Sequence, residues 1–154
     1  MIRLLALDLG RARTGVAFAQ GGVAVPLDSM SGTVDPERLQ SELLLLLGER
    51  PVDELICGLP IDLRGRQGPA AQAIRDIAGP LAHAVAPLPV RLVDERLTTR
   101  VADRRLGEVL GDARARRGRV DAWAAVALLE GVLARITHTG EPGGEIVDPH
   151  PCRP

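Results

Sequence analysis

The chain has 154 residues, a formal net charge of −1 and 45% apolar residues. That length and apolar share suit one domain with its own core, and the near-neutral charge excludes a uniformly basic nucleic-acid-coating protein. All 19 basic residues are arginine, Asn and Tyr are absent, and there is one Phe and one Trp, so a nucleic-acid partner would be gripped through its phosphates by guanidinium forks rather than read by stacking on aromatic rings.

The run 2–7 is apolar and leads into Asp8, with Gly10 and Gly15 following and a second apolar run at 16–19. This reads as strand, tight turn, strand, the glycines serving either special backbone angles or close approach of a ligand. An acid at the end of a core strand needs a partner. Either a metal ion supplies it or the amides of the turn do. Residues 23–30 read as a third strand joined through Gly21-Gly22, with Pro26 marking an edge position. Asp35-Pro36-Glu37 begins a helix, with a capping carboxylate, a first-turn proline and an acid at the positive end of the dipole. Its leucine-rich part, 39–47, is too short to cross a membrane and faces the core.

Residues 53–59 form a strand and 58–65 the loop at its carboxyl end; a helix from Pro69 to His83 is interrupted at Gly79-Pro80. Residues 90–95 form a strand ending in Asp94 and Glu95. Thr98 or Thr99 caps a helix to Leu110. Residues 111–118 are expected to be a loop, and the last, strongly apolar helix starts with Asp121 in its first turn. From Thr137 onward Gly, Pro and charge dominate, so the expected organisation is one domain over 1–136 and a loose tail over 137–154.

A meander followed by alternating helices and strands implies an α/β fold. The expected sheet has five strands, antiparallel through the first three and then parallel, with helices on both faces. Cys57 lies in an apolar run and reads as a buried thiol; Cys152 lies in the Pro-rich tail and reads as exposed, able to form an intermolecular disulfide on oxidation. No zinc spacing, no secretory pattern and no required disulfide point to the cytoplasm.

Asp8, Glu95 and Asp121 occupy the positions that matter. Open α/β sheets build sites at the carboxyl ends of their strands, so Asp8 and Glu95 meet if their strands are neighbours, and a helix packed across that end can add Asp121. Carboxylates that close repel one another, and Mg2+ or Mn2+ relieves the repulsion while keeping room for a substrate phosphate. Two ions roughly 4 Å apart suit in-line attack on a phosphodiester. Each acid has a plainer reading. Asp121 serves as a favourable first-turn charge, and Glu95 pairs with Arg91, Arg96 or Arg100. Strand parity selects Glu95 over Asp94, because Glu95 shares its face with Val93 and Arg91.

Four stretches carry a resemblance: Leu7-Asp8-Leu9-Gly10-Arg11-Ala12-Arg13-Thr14-Gly15, Cys57-Gly58-Leu59-Pro60 with Gly65, Val93-Asp94-Glu95-Arg96-Leu97-Thr98-Thr99, and Arg119-Val120-Asp121-Ala122-Trp123. In this order and spacing the chain resembles the YqgF family of Holliday-junction-resolvase-like nucleases, within the RNase H-like superfamily. The resemblance implies an RNase H-like fold, Mg2+- or Mn2+-dependent nuclease chemistry, and catalytic and metal-binding acids at Asp8, Glu95 and Asp121. The chain departs from the family pattern in the loop after Pro60, where Asp62-Leu63-Arg64-Gly65 stands in place of Asn-Met-Asp-Gly. It also has alanine, at Ala124 or Ala125, where related RuvC-type resolvases carry a further acid.

The neutral total hides an asymmetry. Residues 96–119 carry a net charge of +5 and residues 35–62 a net charge of −5. Arg11, Arg13, Arg64, Arg66, Arg96, Arg100, Arg104, Arg114, Arg116, Arg117 and Arg119 are the expected phosphate contacts. The expected partners are branched DNA, as a four-way junction, or precursor ribosomal RNA; two matched cuts in a junction make a two-fold homodimer natural. An actin-like nucleotide-binding protein would explain Asp8, Gly10 and Gly15 but leave Glu95 and the arginine-rich segment without a role. A nucleic-acid scaffold without turnover is the third reading.

Overall fold

Asp8 stands one residue before the end of a strand whose interior positions are all apolar, and the sheet is laid out around that strand. The computed structural model describes residues 1–96 and 113–152, with the backbone alone for 113–121. The strands are β1 (Arg3–Leu9), β2 (Arg13–Gln20), β3 (Val23–Ser31), β4 (Glu54–Leu59), β5 (Val90–Asp94) and β6 (Glu145–Ile146); the helices are α1 (Pro36–Glu49), α2 (Pro69–Val85) and α3 (Ala113–Thr139). The sheet order is β3-β2-β1-β4-β5-β6. β1, β2 and β3 form the antiparallel meander, β1, β4 and β5 run parallel, and β6 returns antiparallel to β5.

Period-two alternation sorts the side chains onto two layers. Leu5, Leu7, Leu9, Val16, Phe18, Leu55, Cys57 and Leu92 face α1 and α2 and pack with Leu39, Leu43, Ile74 and Leu81. Leu4, Ala6, Ala17, Ala19 and Ile56 face α3 and meet Ala125, Val126, Leu128, Leu129 and Val132. The small residues on that sheet face let α3 lie close. α1 begins as its sequence dictates, with Asp35 accepting a hydrogen bond from the Arg38 amide at 3.2 Å and Pro36 in the first turn.

Three expectations change. The sheet has six strands, not five, because the segment after Thr137 turns back onto the outer edge of β5. Arg91 and Leu92 pair with Ile146 and Glu145, the Val147 amide donates to the Val90 carbonyl at 2.8 Å, and Arg91 Nη1 donates to the Gly143 carbonyl at 2.7 Å. Glycine makes the approach possible: a Cβ on Gly144, whose φ is +66°, would stand 2.1 Å from the Leu92 carbonyl oxygen. Secondly, α2 runs unbroken through Gly79-Pro80. Proline removes one amide donor, and burial of Ala78, Leu81, Ala82 and Val85 outweighs that loss. Thirdly, α3 starts at Ala113, so the expected loop over 111–118 is helical from that residue and Asp121 is eight residues into the helix, not in its first turn. Ala and Arg are strong helix formers, and one internal Gly costs only about 1 kcal/mol. The expected helix from Thr98 or Thr99 to Leu110, with Arg100 and Arg104, lies outside the described residues, as do the side chains of Arg114, Arg116, Arg117, Arg119 and Asp121. Among the described residues no helix is long and apolar enough to cross a membrane.

Candidate active site

The turn after β1 is built by close backbone contacts. A Cβ on Gly10 would sit 2.4 Å from the Arg13 carbonyl oxygen, and one on Gly32 would sit 2.1 Å from that of Arg11. Glycine at both positions lets the link after β3 lie against the turn, where the Gly32, Thr33 and Val34 amides donate to the carbonyls of Ala12, Gly10 and Arg11 at 3.2, 2.8 and 3.1 Å. Gly10 therefore serves close approach rather than a left-handed angle. Gly15 pairs with Asp8 across the β1–β2 ladder and falls where the β2–β3 register shifts between Thr14 and Val16, the usual place for a glycine in a strand.

Asp8 has the parity of Leu4 and Ala6, and Glu95 that of Val93, so both belong to the α3 face of the sheet. Their strands are not neighbours, as β4 lies between them. Gly58 on β4 makes the gap passable. A Cβ there would meet Glu95 Oε2 at 2.9 Å and Leu128 Cδ2 at 3.5 Å. The Glu95 carboxylate thus leans over β4 into space that any other residue at position 58 would fill. Its own backbone is tied to the same strand, the amide donating to the Leu59 carbonyl at 3.3 Å.

Burial pushes the partly buried Glu95 carboxyl above its usual range, and the negative charges of Asp8 and then Asp94 push it the same way. Asp94, of opposite parity, has other work: Oδ1 accepts from the Arg96 amide at 2.9 Å and Oδ2 from Arg96 Nε at 2.8 Å. Burial raises the Asp94 carboxyl, but the bonds to Arg96 and its charge outweigh that and leave it lowered. Arg91, a second of the three arginines considered for Glu95, is paired with Glu54, and the third, Arg100, lies outside the described residues. Among the described residues no group of three or more His, Cys, Asp or Glu side chains is assembled for a metal ion. Asp8 and Glu95 are two such side chains, and that of the third expected member, Asp121, lies outside the described residues.

The arginines divide by circumstance. Arg11 is exposed on the turn after β1, and Arg13 opens β2 with the parity of Gly15 and Ala17. Arg64 and Arg66 are exposed on the loop after β4, where Arg66 Nε donates to Asp62 at 2.9 Å. Arg96 is held by Asp94. These five stand at or just beyond the end of the sheet that carries Asp8 and Glu95. Sequence reasoning missed Gly58 and Gly32 as site-building residues. The available signal was a glycine inside, or just beyond, a strand pattern, which marks close approach of another group.

Relatives agree with this architecture. A Cutibacterium acnes protein described as "Putative pre-16S rRNA nuclease" is 42% identical over 134 residues, spanning 86% of this chain and 82% of its own. A Nocardioides protein of the same description is 42% identical over 148 residues, 94% of this chain and 95% of its own. Among solved structures, Thermus thermophilus RuvC superposes with a TM-score of 0.58 at 10% identity, over 94% of this chain and 99% of that one. RuvC from T. thermophilus in complex with Holliday junction substrate gives 0.55 at 15% identity, over 95% and 99%. At such identity these structures share the fold alone, an α/β arrangement with a mixed sheet like that of RuvC. The family model described as "RuvX: Holliday junction resolvase" matches residues 2–135, which include all four motifs, and the chain belongs to the RuvX family.

Proposed function

We propose that this chain is a nuclease that hydrolyses phosphodiester bonds in structured nucleic acid, using Mg2+ or Mn2+ held by Asp8, Glu95 and Asp121. The observation that carries the reading is the convergence of Asp8 and Glu95 across the gap left by Gly58, with each acid's charge opposing the other's. Oxygen donors that repel one another fit a hard dication, which removes the repulsion on binding. Position 121 lies four and seven residues ahead of Ala125 and Leu128, the helical spacing that keeps residues on one face. Leu128 is the residue beside Gly58, and that spacing along the helix supports counting Asp121 with the other two acids.

When bound, such an ion supplies Lewis-acid polarisation of the phosphate and a water of lowered pKa. The chain's own groups do the rest. Glu95 and Asp8 fix where a phosphate oxygen can approach, and the exposed arginines at the same end of the sheet hold the neighbouring phosphates in register. Alanine at the place of a further acid, Ala124 or Ala125, leaves a second ion fewer protein ligands. Four-way junctions and precursor ribosomal RNA both fit a site that grips backbone; the description shared by the curated relatives favours the RNA. Two copies acting together would suit the paired cuts of a junction. The nucleotide-switch reading is set aside, because the family match spans the Glu95 and Asp121 motifs as well as the Asp8 loop.

The test is one panel: wild type and Asp8→Asn with Mg2+ or Mn2+ on a four-way junction, a linear duplex and precursor ribosomal RNA. Cleavage of at least one structured substrate, lost in Asp8→Asn with binding retained, is the expected outcome. Binding with no cleavage by the wild type under any ion would leave the scaffold reading in its place.

A further inference from the structure

The loop between β4 and α2 presents an apolar side chain almost wholly to solvent, and it does so on an ordered frame. Asp62 makes the frame. Its amide donates to the Arg66 carbonyl at 3.0 Å and its carbonyl accepts from the Gly65 amide at 2.9 Å. Its Oδ1 accepts from the Arg64 and Arg66 amides at 2.9 and 2.8 Å, and Oδ2 accepts from Arg66 Nε at 2.9 Å. Gly65 takes φ +79°, closing the turn in a conformation that other residues rarely adopt. Five residues are thereby held as a finger, and its tip is Leu63, 98% exposed.

Single exposed apolar residues are ordinary on a protein surface; the placement of this one is not. The finger extends the carboxyl end of β4, the strand over which Glu95 leans. A Cβ on Gly65 would lie 3.7 Å from Arg96 Nη1, next in sequence to Glu95. Arg64, beside Leu63, is exposed and its guanidinium has no hydrogen bond or ion pair among the described residues. A bare aliphatic group gains nothing against the phosphates or the hydrated grooves of a continuous helix. It gains where base planes are uncovered, at a branch or an unpaired step, and apolar wedges of this kind unstack nucleic acids. Of the two aromatic side chains, Phe18 is buried in the core and Trp123 is partly buried against the α3-face cluster, both away from this loop in sequence.

We propose that Leu63 is a wedge that enters a nucleic acid where base stacking is interrupted, with Arg64 on the adjoining phosphate. The inference rests on the nuclease reading above and adds to it the feature that distinguishes a structured substrate from a continuous duplex.

The experiment uses the full chain carrying Asp8→Asn, so that binding is read without cutting. The probes are a DNA four-way junction and a bulged RNA helix, each with 2-aminopurine at the discontinuity, beside continuous duplexes of each kind. Leu63→Ala is expected to lower the preference for interrupted over continuous helices by about tenfold and to abolish the rise in 2-aminopurine fluorescence, while Leu63→Met retains both. Arg64→Ala is expected to weaken all four probes alike and reduce the salt slope by about one. A response confined to the DNA or to the RNA probe identifies which of the two the wedge serves. An unchanged preference and an unchanged fluorescence rise in Leu63→Ala would overturn the proposal. Failure of the nuclease reading is a separate result, namely binding by the wild type with no cleavage under any ion, and it leaves the binding measurements intact.

Discussion

Replacing Gly58 by alanine should separate the geometry of the site from the stability of the fold. The new Cβ would stand 2.9 Å from Glu95 Oε2, and ordinary contact begins near 3.4 Å, so the carboxylate must move by about 0.5 Å. The carboxylate is the far end of a flexible side chain, and Leu128 at 3.5 Å needs no adjustment. Forcing Glu95 off its preferred torsions costs roughly 0.5–1.5 kcal/mol. Gly58 does not use a left-handed backbone angle, so alanine returns about 0.4–1 kcal/mol by restricting the unfolded chain. The two nearly cancel, and a residue of at most about 1 kcal/mol moves the melting temperature of a domain this size by about 2–4 °C. Positioning is less forgiving. A misplacement of 1 Å can cost about 100-fold in rate, so half that shift is expected to cost about tenfold. The assay is Mn2+ affinity by calorimetry together with initial cleavage rates on the best substrate of the panel. In a double-mutant cycle, Gly58→Ala should cost little on top of Glu95→Asp, whose shorter side chain vacates the contested space. Wild-type metal affinity and rate in Gly58→Ala would refute the reasoning.

Glu95→Gln should raise the melting temperature at neutral pH in metal-free buffer. The folded-state carboxyl lies above its ordinary value, so the folded chain holds that proton more tightly than the unfolded one and loses stability as pH rises from the unfolded value through the folded one; the gain in Glu95→Gln should disappear below the ordinary glutamate range. Denaturation curves at pH 3 and pH 7 check it. Cys57 is fully buried and its thiol is pushed up to about 12 by burial, whereas Cys152 is exposed. Iodoacetamide on the native protein should therefore label one site, identified by mass spectrometry as Cys152, and the second only after unfolding. Gly144→Val should detach β6, because a Cβ would lie 2.1 Å from the Leu92 carbonyl oxygen. Faster hydrogen exchange at the Val147 amide and in β5 is the expected readout, with β1 and β2 unchanged.

The meander and the alternation after it were legible because each of these strands is a short apolar run bounded by Gly, Pro or charge, and the parallel strands β4 and β5 each follow a helix with a proline in its first turn. Asp35-Pro36-Glu37 is the clearest case, and α1 begins there. The departures arise where local chemistry and context disagree. Ala113 to Val120 is rich in charge, which suggests a solvated loop, yet its Ala and Arg favour helix and the apolar stretch that follows carries the helix on. Glu145 and Ile146 lie among glycines and prolines and have no strand pattern; what makes them a strand is the open edge of β5, which is visible only once the sheet order is known.

The site shows the same division in its sharpest form. Strand parity was enough to prefer Glu95 over Asp94, since parity depends on local geometry alone, and Glu95 does share the face of Asp8 while Asp94 turns away to Arg96. Adjacency was not legible. Asp8 and Glu95 stand on strands separated by β4, and two inter-strand steps put their backbones about 10 Å apart. A glutamate can reach across that distance only if the residue between carries nothing on that face. The requirement for glycine at 58 is therefore a consequence of the sheet order β1-β4-β5. The same order explains why it takes a glutamate, with its extra methylene, just past the end of β5 to lean over β4 toward Asp8. On this argument Glu95→Asp should lose the convergence with Asp8 even though it keeps the charge, and its carboxyl should fall back toward the ordinary range. NMR titration of the side-chain carboxyl in metal-free buffer reads this directly, and an unchanged titration midpoint would mean that reach across β4 is not what brings the two acids together.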